Sequence, residues 1–213
     1  MDWAQVVQQV KTAASPEALV AAVQVVADWP EPSQAIPLLI EALGYNNPAV
    51  AQVAMAALQR WGRQAVPELL ARLDGYNYGA RAYGVRVLAH IGDPRALSVL
   101  ETAARQDFAP SVRRAAIRGL GNLQWSQLPN PEPPQRQVAQ TLVDLSRDGD
   151  WGIRYAVVVA WELWQQRGLP GFLQPQMVTL LQQLSQDEDL VVQARAQWFL
   201  QRLDKYVTMP KEV

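Results

Sequence analysis

The 213-residue sequence contains no cysteine and a single histidine, His90. Without a thiol the chain cannot form a disulfide, a thiolate nucleophile, a cysteine-ligated zinc site or an iron–sulfur cluster. One imidazole excludes a metal site built from several histidines, and a Ser-His-Asp triad would have to use that residue. We therefore expect no metal, and His90 itself is more typical of a partly buried surface residue than of a catalyst.

The sequence also lacks an excess of charge of one sign, since 19 basic residues face 20 acidic ones. Bulk binding of nucleic acid needs a basic surface and is not expected. No apolar run approaches the roughly 18 residues of a membrane span, and the first residues do not resemble a signal peptide. These absences predict a cytoplasmic protein with no membrane insertion. The arginines are nevertheless uneven, with ten of them against five acidic residues between positions 60 and 118.

What the sequence does contain is an internal repeat of about 30 residues. In each copy two apolar segments with helical spacing are separated by a short turn, and the alternation typical of strands is missing. The pattern predicts an all-α fold, an α-solenoid of about six short HEAT-like helix pairs forming one curved superhelix. Prolines are expected in first helical turns and glycines at C-terminal caps. These residues are Pro16, Pro37, Pro48, Pro67 and Pro110, and Gly62 and Gly92.

We predict a single domain over residues 1–213. It begins with a helix pair at 3–28, continues with three repeats over 35–125 and two over 138–204, and ends in a tail at 205–213. Between the two sets of repeats, residues 126–137 are predicted to form an external loop, because four prolines fall between positions 129 and 134.

An aspartate followed six or seven residues later by an arginine recurs in three copies of the repeat, at the turn between the two helices. The carboxylate is predicted to cap the second helix, and the arginine to pair with an aspartate of its own or the adjacent repeat. Such residues could be catalytic, but their recurrence favours a structural ladder. The predicted ladder consists of Asp107 with Arg113, Asp148 with Arg154, and Asp74 with Arg81.

Aromatic and arginine side chains remain on the second helices once the ladder and the core are set aside. We assign Trp161 and Trp164 to the core. Solenoids of this type present their second helices on the concave side, so the remaining residues are predicted to line one groove. Guanidinium groups among aromatic rings suit a flat conjugated ligand that carries carboxylates, although a solvated surface would look similar. The predicted groove residues are Tyr78, Tyr83, Arg86, Arg114, Arg118, Trp151 and Tyr155.

Several segments resemble one family, the F-type subunits of the heterodimeric E/F phycobilin lyases of cyanobacteria. The segments are residues 43–48 (LGYNNP), 74–82 (DGYNYGARA), 107–116 (DFAPSVRRAA) and 119–125 (GLGNLQW). The Val-Arg-x-x-Ala element is shared with HEAT repeats in general, whereas the first two segments are more specific. The resemblance is best over residues 35–160.

This resemblance implies a function. E/F lyases attach phycocyanobilin through a thioether to a cysteine of the phycocyanin α subunit, so the pigment is a substrate and no cofactor is expected. The acceptor supplies the thiol, which makes the absence of cysteine here acceptable. The groove residues would then bind the bilin, and the proton donor stays unassigned. An isomerising relative carries a His-Cys pair where Asn77 and Tyr78 stand, which predicts attachment without isomerisation.

Two alternatives stay open beside a lyase subunit. One is a non-catalytic HEAT adaptor that binds phycobiliproteins during phycobilisome assembly or degradation, and the other is a scaffold for an unrelated partner. Only the lyase subunit, with its E-type partner, is expected to bind free phycocyanobilin. Trp3, Trp198 and Phe199 near the two ends of the chain also predict contact with another protein.

Overall fold

The computed structural model describes residues 1–73 and 78–208, with side chains up to Leu203. Twelve α-helices and no β-strand occur in these residues. The helices follow one another as six pairs, which confirms the predicted all-α class and the HEAT-like pairing. No helix among the described residues is long and apolar enough to cross a membrane.

The first compact unit spans Met1–Val99. Its second helices pack in a row, α2 against α4 and α4 against α6, and each first helix packs against the second helix of its own pair. The predicted N-terminal pair is present as α1 and α2. The helices of this unit are α1 (Trp3–Lys11), α2 (Pro16–Ala27), α3 (Pro32–Ala42), α4 (Pro48–Trp61), α5 (Val66–Arg72) and α6 (Tyr78–Ile91).

The second compact unit spans Leu100–Val213. Its central helix α10 packs against both α8 and α12. Trp161 and Trp164 are fully buried in its core, as predicted. The single domain stays a prediction. The helices of this part of the chain are α7 (Leu97–Gln106), which begins before the boundary, α8 (Pro110–Gly121), α9 (Glu132–Leu145), α10 (Trp151–Gln166), α11 (Gln174–Leu184) and α12 (Leu190–Thr208).

Turn chemistry explains where the helices begin and end. Asn47 accepts hydrogen bonds from the backbone N–H groups of Ala49 and Val50, and Pro48 then occupies the first helical position, where no N–H is needed. Gly62 and Gly92 have φ values of 56° and 68°, a left-handed region that residues with a Cβ avoid. The predicted helix ends at these two glycines are confirmed.

Two boundary predictions were wrong, both because of proline. Helix α3 begins at Pro32, so Pro37 lies inside it and removes one hydrogen bond without ending the helix. The predicted loop at 126–137 is much shorter, because a 3₁₀ turn covers Trp125–Gln127 and α9 begins at Glu132. Pro133 and Pro134 fall in the first turn of α9, where a missing N–H costs nothing.

The arginine ladder is present between successive pairs of the second unit. Arg113 lies 2.5 Å from the Asp148 carboxylate and also donates to the carbonyl of Ala104. Arg154 binds both carboxylate oxygens of Asp187 at 2.8 Å. Each arginine thus pairs with the aspartate of the next repeat. Asp74, the partner predicted for Arg81, lies outside the described residues.

The prediction that the ladder aspartates cap the second helices was wrong. Asp148 accepts a hydrogen bond from the N–H of Asp150, and Asp150 in turn caps α10 by accepting from Gly152. The ladder aspartate therefore shapes the turn, while the residue two positions later caps the helix. One oxygen of Asp148 pairs with Arg113 of the preceding repeat and the other accepts from Asp150, so Asp150 is left to cap the helix.

Candidate functional site

The second helices of the second unit present four of the predicted groove residues. Arg114 reaches across the start of α10, with its Nη1 atom 3.8 Å from the Asp150 carboxylate. Trp151 is half exposed, and Tyr155 follows it by four residues, so both lie on one face of α10. Arg118 is exposed and forms no ion pair with any described residue. The second helices of this unit therefore carry an exposed tryptophan on α10 and an unpaired guanidinium group on α8.

A small residue makes room for this arrangement. Gly152 stands next to Arg114, and a Cβ atom at that position would lie 3.1 Å from Nη1 and 3.2 Å from Cδ of the arginine. A larger side chain at position 152 would displace Arg114 from the first turn of α10. The glycine therefore helps to position the guanidinium group.

The other three predicted residues lie on α6 in the first unit. The Arg86 guanidinium carbon is 5.5 Å from the centre of the Tyr83 ring, which is a cation–π contact. Tyr78 is 40% exposed, and Arg81 packs 5.6 Å from its ring centre. The structure thus brings Tyr83 and Arg86 together on one helix. A single groove that combines residues of both units stays a prediction.

The face of α10 that carries Trp151 and Tyr155 continues to residues that the sequence analysis missed. Glu162 is seven residues after Tyr155, on the same face, and is buried where it forms an ion pair with Arg195 of α12. Trp198 lies 4.4 Å from the Arg195 guanidinium carbon and 4.7 Å from that of Arg202. The spacing of Trp151, Tyr155 and Glu162 along one helix was the available signal.

These groups can bind and orient a ligand but supply no nucleophile. Guanidinium groups pair with carboxylates, and tryptophan and tyrosine rings stack on flat conjugated systems. The Glu162 carboxylate is already paired with Arg195. The chain has no thiol at all. The face suits a reaction in which another protein brings the nucleophile.

Comparison with known proteins identifies the family. The HEAT-repeat family matches residues 66–160 and 103–201. The phycocyanobilin lyase subunit beta of Thermosynechococcus vestitus is 47% identical over 205 residues, which cover 94% of this chain and 96% of the relative. The chain belongs to the phycocyanobilin lyase beta subunits. The family resemblance carried by the sequence segments is thereby confirmed.

Two further relatives agree with this assignment to the phycocyanobilin lyase beta subunits. The phycocyanin alpha phycocyanobilin lyase CpcF of Synechocystis is 40% identical over 201 residues, covering 93% of each chain. A solved structure of the complex of CpcE and CpcF of phycocyanin lyase from Nostoc matches with a TM-score of 0.72 and 47% identity. It covers 78% of this chain and 98% of that one. That structure contains CpcF together with CpcE.

Proposed function

We propose that this chain is the F-type half of a bilin lyase that attaches phycocyanobilin to a cysteine of the phycocyanin α subunit, together with an E-type partner. The observation that carries the proposal is the 47% identity to a phycocyanobilin lyase beta subunit over nearly the whole of both chains. We further propose that the reaction takes place in the cytoplasm. It needs no cofactor, because the pigment is a substrate.

The chemistry of bilin attachment matches the functional groups on the face of α10 that carries Trp151 and Tyr155. A thiolate of the acceptor attacks the exocyclic double bond of ring A, a C–S bond forms, and a proton is added to the ring carbon at the other end of that double bond. No oxidation or reduction occurs. The lyase must then hold the flexible tetrapyrrole in one orientation, and restraint of this kind can supply a large part of a rate enhancement.

Arg118 is the groove residue with the simplest proposed role. Its guanidinium group is exposed and has no ion-pair partner among the described residues. In the proposed complex it binds a propionate of the bilin, while Trp151 and Tyr155 contact the rings. Arg114, Arg86, Tyr78 and Tyr83 complete the proposed bilin-binding set.

Co-expression tests the proposed function. This chain, an E-type partner, the phycocyanin α subunit and a source of phycocyanobilin are produced together, and covalent pigment is measured by zinc-induced fluorescence after denaturing electrophoresis. We expect pigment on the α subunit only when both lyase chains are present. Pigment transfer by the isolated chain would contradict the heterodimer. Binding of the α subunit without any pigment transfer would favour the adaptor.

Single variants then test the groove. Arg86→Gln, Arg114→Gln and Arg118→Gln each remove one charge-assisted hydrogen bond worth about 1.5–3 kcal/mol, so bilin transfer should weaken about ten- to a hundredfold. Arg147→Gln, an exposed arginine outside the groove, is the matched control. Unchanged transfer in all three variants would remove the groove from the proposal. Loss of transfer together with loss of the E-type partner would make the face an interface.

A further inference from the structure

A cavity of about 230 Å³ lies between α10 and α12 in the second unit. It is lined by Glu162, Gln165, Gln166, Phe199 and Arg202. The volume is below the usual size of a site that encloses a whole ligand. The cavity is therefore suited to one arm of a larger molecule.

The charges around this cavity leave hydrogen-bond donors in excess. The Glu162 carboxylate is neutralised by Arg195, and its other oxygen lies 3.4 Å from the Gln166 amide nitrogen. The Nε atom of Arg195 is buried and has no hydrogen-bond acceptor among the described residues. Arg202 is exposed and forms no ion pair there either. A ligand that brought an anionic oxygen would meet an uncompensated guanidinium group.

Trp198 adds an aromatic surface next to Arg202. Both Arg195 and Arg202 pack on its ring, with guanidinium carbons 4.4 and 4.7 Å from the ring centre. These contacts restrain the long arginine side chains before a ligand arrives, which lowers the entropic cost of binding. Trp198 is still 39% exposed, so part of the ring can contact a flat ligand.

We propose that this cavity binds a carboxylate arm of a flat conjugated ligand, with Arg202 pairing the carboxylate and Trp198 contacting the adjacent ring. The inference rests on the proposed function, because the ligand is then the bilin and the arm one of its propionates. Glu162 shares a face of α10 with Trp151 and Tyr155, so the cavity extends the proposed bilin face to α12. Arg202 and Trp198 belong to no residue set predicted from the sequence.

Esterification of the ligand separates carboxylate recognition from every other effect. The pair of lyase chains is titrated with phycocyanobilin and with its dimethyl ester, and bilin absorbance reports binding. The wild-type pair should prefer the free acid. Arg202→Gln should weaken binding of the acid about ten- to a hundredfold and leave binding of the ester unchanged. Trp198→Leu should weaken binding of both.

Arg147→Gln is the control, since this arginine is also exposed and lies outside the cavity. Circular dichroism of each variant checks the fold. If Arg202→Gln keeps the full preference for the acid, or loses acid and ester alike, the proposal is overturned. When the wild-type pair attaches pigment to the α subunit, the proposed function holds whatever Arg202→Gln does to binding. A failure of the cavity proposal is then distinct from a failure of the proposed function. Absence of attachment by the wild-type pair would overturn the proposed function itself.

Discussion

The arginines of the second unit differ in burial and in partner. The Arg154 side chain is 8% exposed and binds both oxygens of Asp187, which is 6% exposed. Arg118 and Arg202 are exposed and form no ion pair with a described residue. A buried, paired guanidinium group holds the fold together, whereas an exposed and unpaired one is available for a ligand. Recurrence in the sequence alone does not separate these roles.

Arg154→Gln is expected to destabilise the protein by about 3–5 kcal/mol, because it leaves the Asp187 carboxylate buried without its partner. Arg136→Gln is the matched control, since Arg136 and Glu132 form an ion pair one helical turn apart in which both side chains are more than half exposed. Loss of that pair should cost at most about 1 kcal/mol. Urea unfolding at neutral pH measures both free energies.

The pH dependence of the stability difference between wild type and Arg154→Gln tests whether loss of the Arg154–Asp187 pair causes that difference. Hydrogen bonds from Arg154 hold the pKa of Asp187 below its ordinary value of 3.8. A depressed folded-state pKa stabilises the protein above pH 3.8, and the stabilisation is lost as the pH falls through the folded-state pKa. The gap between wild type and Arg154→Gln should therefore narrow below pH 3.8. A stability difference between wild type and Arg154→Gln that is small at pH 7, or that does not narrow in acid, would contradict the stabilising role of the ladder.

At the scale of helices, the sequence predicts existence and pairing better than boundaries. Proline marked several helix starts and glycine marked two helix ends, because φ restriction and a missing N–H act locally. Pro37 and Pro133 misled the prediction, since a proline is also tolerated in or after a first turn that other residues have already begun. The contact of Glu162 with Arg195 was not predicted, because it depends on how closely α10 and α12 approach.

The close packing of α8 against α10 in the second unit depends on one glycine. A Cβ atom on Gly121 of α8 would overlap the backbone carbonyl group of Ala160 on α10, 2.7 Å from its carbonyl carbon. Gly121→Ala should therefore push the two helices apart and cost about 1–3 kcal/mol or more. Because Trp151 and Tyr155 are on α10 and Arg118 is on α8, pigment transfer should fall as well. Thermal unfolding and the transfer assay measure the two effects.

Gly149→Ala provides the control for this variant. A Cβ atom at Gly149 meets nothing within 4 Å, and the residue does not adopt a positive φ. Its melting temperature should stay close to that of the wild type. If Gly121→Ala melts at the same temperature as Gly149→Ala, the close packing of α8 and α10 does not limit stability.

At the scale of the whole molecule, the repeat and the family were predictable, and the complete site was not. Periodicity selects which face of each helix is exposed, and this placed Arg118, Trp151 and Tyr155 correctly on the second helices. It carries no information about which side chains of neighbouring helices meet. Glu162, Trp198 and Arg202 were therefore missed. Residues 74–77, which contain most of the family-specific loop, lie outside the described residues.

The last prediction concerns the product of the whole lyase. The resemblance to the E/F lyases places the His-Cys pair of an isomerising relative at Asn77 and Tyr78, and this chain has no cysteine anywhere. We expect thioether formation without a shift of any other double bond. The attached pigment should then keep the conjugation of a phycocyanobilin adduct.

Absorption of the purified α subunit after unfolding in acidic urea measures this conjugation free of protein effects. The spectrum should coincide with that of α-phycocyanin carrying phycocyanobilin, which is the reference. An isomerised pigment has a shorter conjugated system and absorbs at shorter wavelength, and such a band from the wild-type pair would contradict the prediction.

Tyr78→Phe serves as a control, since Tyr78 is 40% exposed and the ring is retained. Its product spectrum should be unchanged, because neither tyrosine nor phenylalanine supplies the thiol that the isomerising relative carries at this position.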